Sequence, residues 1–144
     1  MLLLLLLLCC STATPQERSQ SWGAEPPCQK AADNREEREC FASAQKTITD
    51  QIDAFTKNVV ITFDKEARDG SAGSVATEEL RKAAQGVRDS QRTWEKYRQV
   101  HCTAVMHSWT TGSGAGTAYE PCMFKVAASR LQELRFDFGN WVSK

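Results

Sequence analysis

The stretch Cys102-Thr-Ala-Val-Met-His-Ser-Trp109-Thr-Thr-Gly112-Ser113-Gly114-Ala-Gly116-Thr-Ala-Tyr119-Glu-Pro-Cys122 decides the fold. Its closely spaced glycines end one helix and make a flexible connection to the next. With the first helix stopping near Trp109 and the next starting near Thr117, Cys102 lies about 10 Å before the connection and Cys122 about 8 Å after it. In an antiparallel helical hairpin those depths match, so the two thiols face each other. A tight pairing across a helical hairpin is thus written into one segment.

Working outward, the same logic applies upstream. Asn34-Arg35-Glu36-Glu37 reads as an N-cap with a Glu at N3, similar to a capping box. A helix then starts near Arg35, after a turn at Asp33-Asn34. On one continuous helix Cys28 and Cys40 would stand about 18 Å apart, whereas a disulfide needs Cα atoms within about 7 Å. The turn folds a short first helix back and brings the pair into reach. Four cysteines allow three connectivities, and the local scheme, Cys28 with Cys40 and Cys102 with Cys122, is the one these depths favour. The rival reading, a four-thiolate zinc site, favours close pairs such as CxxC. Neither pair has that spacing, so no metal is expected.

Between and beyond the cysteines the periodicity is helical. Ile48, Ile52, Phe55, Val59 and Phe63 recur at three- and four-residue steps, one face of a helix from Arg35 to about Arg68. Asp69-Gly70-Ser71-Ala72-Gly73-Ser74 is a stop and a loop. Thr77 caps a second long helix, with Glu78 and Glu79 suited to its dipole. Leu80, Val87, Trp94 and His101 fall at seven-residue steps along it, with Ala84 and Val105 beside that stripe. A third helix runs from about Thr117 to Phe138, with Pro121 in its first turn and Met123, Val126, Leu134 and Phe138 on its apolar face. No segment alternates like a strand. The expected fold is all-α: an antiparallel helical bundle of a short first helix and three longer ones, stapled by two disulfides.

The ends of the chain read differently. Leu2 to Leu8 with Cys9 and Cys10 form an apolar run too short to span a membrane, which takes about twenty residues. Its length suits a secretory signal over residues 1–13, cut after Ala13. The alternative is a lipoprotein signal acylated at Cys10 or Cys9, the only membrane attachment the sequence offers. Residues 14–27, with Pro15, Gly23, Pro26 and Pro27, read as a flexible tether. Residues 28–144 form the helical domain. Its four cysteines fit an oxidising compartment, periplasmic or extracellular.

Eighteen Lys and Arg balance eighteen Asp and Glu in 144 residues. A neutral chain lacks the excess cation that nucleic-acid binding draws on, and it lacks a polybasic membrane surface.

The segment Gln91-Arg-Thr-Trp94-Glu-Lys-Tyr97-Arg98-Gln99-Val-His101-Cys102 resembles the hallmark of the lysozyme inhibitor LprI-like N-terminal domain family, Gln-x-x-Trp-x-x-x-Arg-Asp-x-x-Cys. The resemblance continues through the Gly-rich connection, Ala118-Tyr119, Cys122, Arg130 and Leu134. Upstream it takes in Cys28 and Cys40, covering residues 28 to 135 or so. Two departures stand out: Gln99 replaces the usual Asp, and Ala127 sits where a Thr is common. The resemblance implies an exported bacterial helical domain. It also implies a protein partner, a lysozyme or another cell-wall hydrolase, the latter including a rival bacterium's effector met by an immunity protein.

Catalytic candidates are thin. His101 lies on the apolar stripe and reads as a core histidine; His107 falls on another side of the helix. Gly112-Ser113-Gly114 is neither a nucleophile elbow nor a phosphate cradle. Neighbouring carboxylates such as Glu78 and Glu79 point apart. No enzyme and no cofactor are expected. Trp94, on the stripe, reads as core rather than as a binding patch with Tyr97 and Arg98. The binding candidates are Trp109, Ser113 and Tyr119 at the hairpin end, where an aromatic beside a flexible turn, rigidified by a nearby disulfide, suits insertion into a partner's cleft. The alternative to an inhibitor is a non-catalytic envelope interaction or structural module.

Overall fold

The computed structural model describes residues 28–70, 73–109 and 114–142. The expected signal and tether, and Ser113, lie outside the described residues. Three helices account for most of the rest: α1 (Asn34–Asp69), α2 (Ser74–Ser108) and α3 (Gly114–Val142). Among the described residues there is no strand. The helices pack antiparallel in sequence, each against both others.

The expected short first helix is not among them. Cys28–Lys30 is a turn, closed by the Ala31 N–H on the Cys28 carbonyl at 3.3 Å. The reason lies one residue upstream of the expected cap. Asp33, extended at φ −150°, is the N-cap, and its carboxylate accepts from the Arg35 and Glu36 N–H groups. Glu36 reaches back to the Ala32 N–H at 2.8 Å. These bonds satisfy amides that a helix start leaves without partners and hold residues 28–33 in a non-helical approach. The turn alone is enough to bring Cys28 to Cys40, with Cα atoms 5.8 Å apart.

α1 ends at Gly70, in the left-handed region at φ 66°, a conformation that costs other residues a steric penalty. α2 then begins at Ser74, with Gly73 as its cap, and Thr77 sits within the first turn, its N–H on the Gly73 carbonyl. α3 likewise starts earlier than expected, at Gly114, so Pro121 lies inside the helix rather than in its first turn. There it removes one backbone donor from the ladder.

Two apolar clusters fill the seams. Ile52, Ala127, Leu131 and Leu134 form one, with Ile48, Phe55 and Trp94 packed against it. Val59, Phe63, Ala84 and Val87 form the other, nearer the α1–α2 turn, covered by Leu80, Phe138 and Trp141. Phe63 meets the edges of Phe138 and Trp141 with ring centroids 6.1 and 4.9 Å away. At the opposite end of the bundle Phe41 meets Phe124 at 5.6 Å. The α1 face read from the sequence is the face that packs, whereas on α3 the buried row is Met123, Ala127, Leu131 and Leu134, with Ala127 and Leu131 inward where Val126 is expected.

The α2 stripe is different. His101 is exposed and stacks on Tyr97 at 5.3 Å, not in the core. A seven-residue repeat drifts by about 20° per heptad on a straight helix. After three heptads the inward position has moved from His101 to Cys102, which is fully buried. The inward row is Ala84, Val87, Gln91, Trp94, Arg98 and Cys102.

Candidate functional site

Antiparallel packing brings the N-terminal turns of α1, the end of α2 and the start of α3 to one end of the bundle. Both disulfides lie there: Cys28–Cys40, and Cys102–Cys122 with Cα atoms 5.6 Å apart. The second joins α2 to α3 across the hairpin at the depth its sequence spacing implies.

Trp109 is the C-cap of α2, its N–H on the Met106 carbonyl, and the residue is 58% exposed. One part of its ring rests on the first residue of α3. A Cβ added at Gly114 would stand 2.9 Å from Trp109 Cε3, closer than real side chains approach. The missing side chain therefore seats the indole. Gly116 does the same for a residue of α1: its Cβ would stand 3.2 Å from Arg38 Nη1 and 3.5 Å from Arg38 Cδ. The glycines that read as a flexible connection are thus partly a helical docking surface for neighbours.

Tyr119 is half-buried, and its hydroxyl donates to Gln99 Oε1 on α2 at 3.1 Å. Gln99 is the position where the resembled family has Asp, so a neutral acceptor performs this cross-helix bond here. Of the residues singled out in the sequence, Trp109 and Tyr119 share this end of the bundle. Trp109 offers free surface, whereas Tyr119 is committed to the hairpin. Arg38 was not singled out. Its only sequence signal is a pair of glycines that turn out to be helical, where a neighbour must approach closely.

The Trp94 region is mainly structural. The ring is half-buried on the first apolar cluster, with the Arg98 guanidinium 4.6 Å from its centroid. Arg98 Nη1 donates to Thr49 Oγ1 at 2.9 Å, so it bonds a hydroxyl of α1 rather than an acid. Beside it runs a shallow α1–α2 groove of about 430 Å³, rimmed by Asp53, Lys57, Arg88 and Arg92 over a floor of Thr56 and Gln91. Arg88 pairs with Asp64 and Arg92 with Asp89. Burial holds the Asp53 carboxyl above its ordinary range, helped by Glu95 and Asp50 and opposed by Arg98. Among the described residues no group of His, Cys, Asp and Glu is placed to hold a metal ion, and no helix is long and apolar enough to cross a membrane.

Fold and cross-links together define a disulfide-stapled, all-helical domain with an aromatic tip. Residues 28–134 match the family model described as "Lysozyme inhibitor LprI", and the chain belongs to that family. No curated protein and no solved structure matches the chain.

Proposed function

We propose that the chain works outside the cytoplasm as a binding protein that inhibits a peptidoglycan-degrading enzyme, either a lysozyme or a rival's wall hydrolase. Family membership carries the reading. The stapled hairpin end supports it: Trp109 presents an exposed aromatic whose ring is already braced on Gly114. Anchors of this kind bind well because little ordering remains to be done on contact. Trp109 is the inserting residue, Ser113 contributes from the connection, and Tyr119 holds the hairpin through Gln99. The leader exports the chain, with lipidation at Cys9 or Cys10 as its alternative fate. The role is binding, without a cofactor or a catalytic step.

The test is turbidity of a cell-wall suspension during lysis by a c-type, a g-type or an i-type lysozyme, or by a hydrolase encoded beside this gene. Molar excess of the purified chain is expected to slow at least one of them. Undiminished lysis by all would reject inhibition of those enzymes and leave a non-catalytic envelope interaction module.

A further inference from the structure

We infer that Arg38 is a second prong of the inhibitory surface, addressed to the paired carboxylates in the cleft of a glycoside hydrolase. This rests on the inhibitor reading above and names the chemistry of the partner's site. Three observations carry it.

First, Arg38 makes no ion pair and no side-chain hydrogen bond among the described residues, although it is partly covered. Most arginines of the bundle are engaged: Arg88, Arg92, Arg98 and Arg130 each have a named partner. Arg38 instead lays its stem and guanidinium along bare backbone at Gly116. Its guanidinium thus lies beside Gly116 with no ionic partner among the described residues.

Second, Arg38 and Trp109 flank the first turn of α3. Gly114 and Gly116 are two residues apart on that helix, so the sides they offer face away from each other. The two side chains are therefore separated by about the width of a helix, roughly 10 Å, and both belong to the end fixed by the disulfides.

Third, the charge is complementary. Glycoside hydrolases cleave with a pair of Asp or Glu side chains flanking the scissile bond, in a cleft that also receives flat sugar rings. An aromatic prong suits a sugar subsite, and a planar guanidinium suits a carboxylate, which it can meet with two parallel hydrogen bonds. Trp109 in one subsite would place Arg38 at the reacting centre or next to it.

The experiment compares the full chain with Arg38→Met, Arg38→Lys and Trp109→Ala on a lysozyme that the full chain inhibits. Arg38→Met keeps the stem on Gly116 and removes the charge, and thermal unfolding checks that each variant is folded. The expected result is at least a thirtyfold weaker inhibition constant for Arg38→Met, with partial recovery in Arg38→Lys. Binding is then measured to the same lysozyme with both catalytic carboxylates changed to their amides. There Arg38→Met is expected to cost less than threefold, because the charge it addressed is gone. Unchanged inhibition by Arg38→Met, alongside loss in Trp109→Ala, would overturn the role of Arg38 and leave the inhibitor reading standing. An equal loss against both forms of the lysozyme would also overturn it. A full chain that inhibits no hydrolase would overturn both.

Discussion

The guanidinium of Arg98 lies over the ring of Trp94, 4.6 Å from its centroid, and donates from Nη1 to Thr49 of the neighbouring helix. One residue of α2 thus covers the aromatic of the preceding turn and bonds α1 in the same pose. A cation over an aromatic face is worth about 0.5–1 kcal/mol at partly exposed sites.

Trp94→Ala removes this arrangement and part of the packing on Ile52, Ala127, Leu131 and Leu134. Because the ring is half-buried, the expected cost is about 2–4 kcal/mol, toward the low end for large aromatics. Chemical denaturation of the variant against the parent measures it. A loss under about 1 kcal/mol would mean that the ring packs less than its position indicates.

Thr56 is expected to respond the opposite way. Its hydroxyl is buried with no hydrogen-bond partner, as is Gln91 Oε1 across the groove. Leaving a buried polar atom unpaired costs about 1–3 kcal/mol. Thr56→Val is therefore expected to stabilise the fold by about 1 kcal/mol, read as a higher denaturant midpoint with an unchanged slope. Destabilisation would reveal a water bridging the two side chains.

Asp53 sets a pH dependence. Its folded-state carboxyl is raised, first by burial and then by Glu95 and Asp50. A raised carboxyl favours the native state while protonated, and that contribution disappears as pH climbs through the folded value. Asp53→Asn is expected to raise the melting temperature at neutral pH. The gain should shrink as pH falls toward the ordinary Asp range near 3.8. Melting curves of both proteins across that range check the sign, and a gain that grows in acid would contradict it.

Much of this was legible in the sequence. The packing face of α1 and the Cys102–Cys122 pair follow from residue spacing, since helix rise and apolar periodicity are local properties. Cys28 instead reaches Cys40 through a turn in place of the expected short helix, and the α3 face is turned toward Ala127 and Leu131. The starts of α2 and α3 were not legible. Gly73 and Gly114 read as loop, yet Gly73 caps a helix with its backbone at φ 82°, a conformation that favours glycine, and Gly114 opens one where the Trp109 ring lies against its bare backbone. His101 was misplaced by a heptad pattern that a straight helix cannot keep. Arg38 was invisible because its contact is with Gly116, distant in sequence, and no local pattern encodes it.

Loss of the cross-links should be costly. Closing the loops between Cys28 and Cys40 and between Cys102 and Cys122 restricts the unfolded chain by about 3 kcal/mol each. Replacing Cys102 and Cys122 together by Ala is expected to lower stability by about that amount. Thiol titration of the unreduced, denatured domain from Cys28 onward should find none of its four cysteines free.

Gly114→Ala separates the scaffold from the tip. The added methyl would collide with the Trp109 ring, and an exposed side chain can swing away at little cost. Stability is expected to stay within about 0.5 kcal/mol, while affinity for an inhibited hydrolase falls about tenfold, or 1.4 kcal/mol. Unchanged affinity would show that the orientation of the indole does not matter.

The two ends of the bundle are held by different means. Near the α1–α2 turn, Phe63, Val87, Phe138 and Trp141 supply packed apolar contacts. At the other end both disulfides bear much of the load. A preparation made under reducing conditions would therefore keep most of its far-ultraviolet helical signal while its hairpin end loosened. Helicity alone is a poor guide to whether recombinant material is competent. Oxidation state, checked by mass, is the measurement that distinguishes a finished molecule from a half-fastened one.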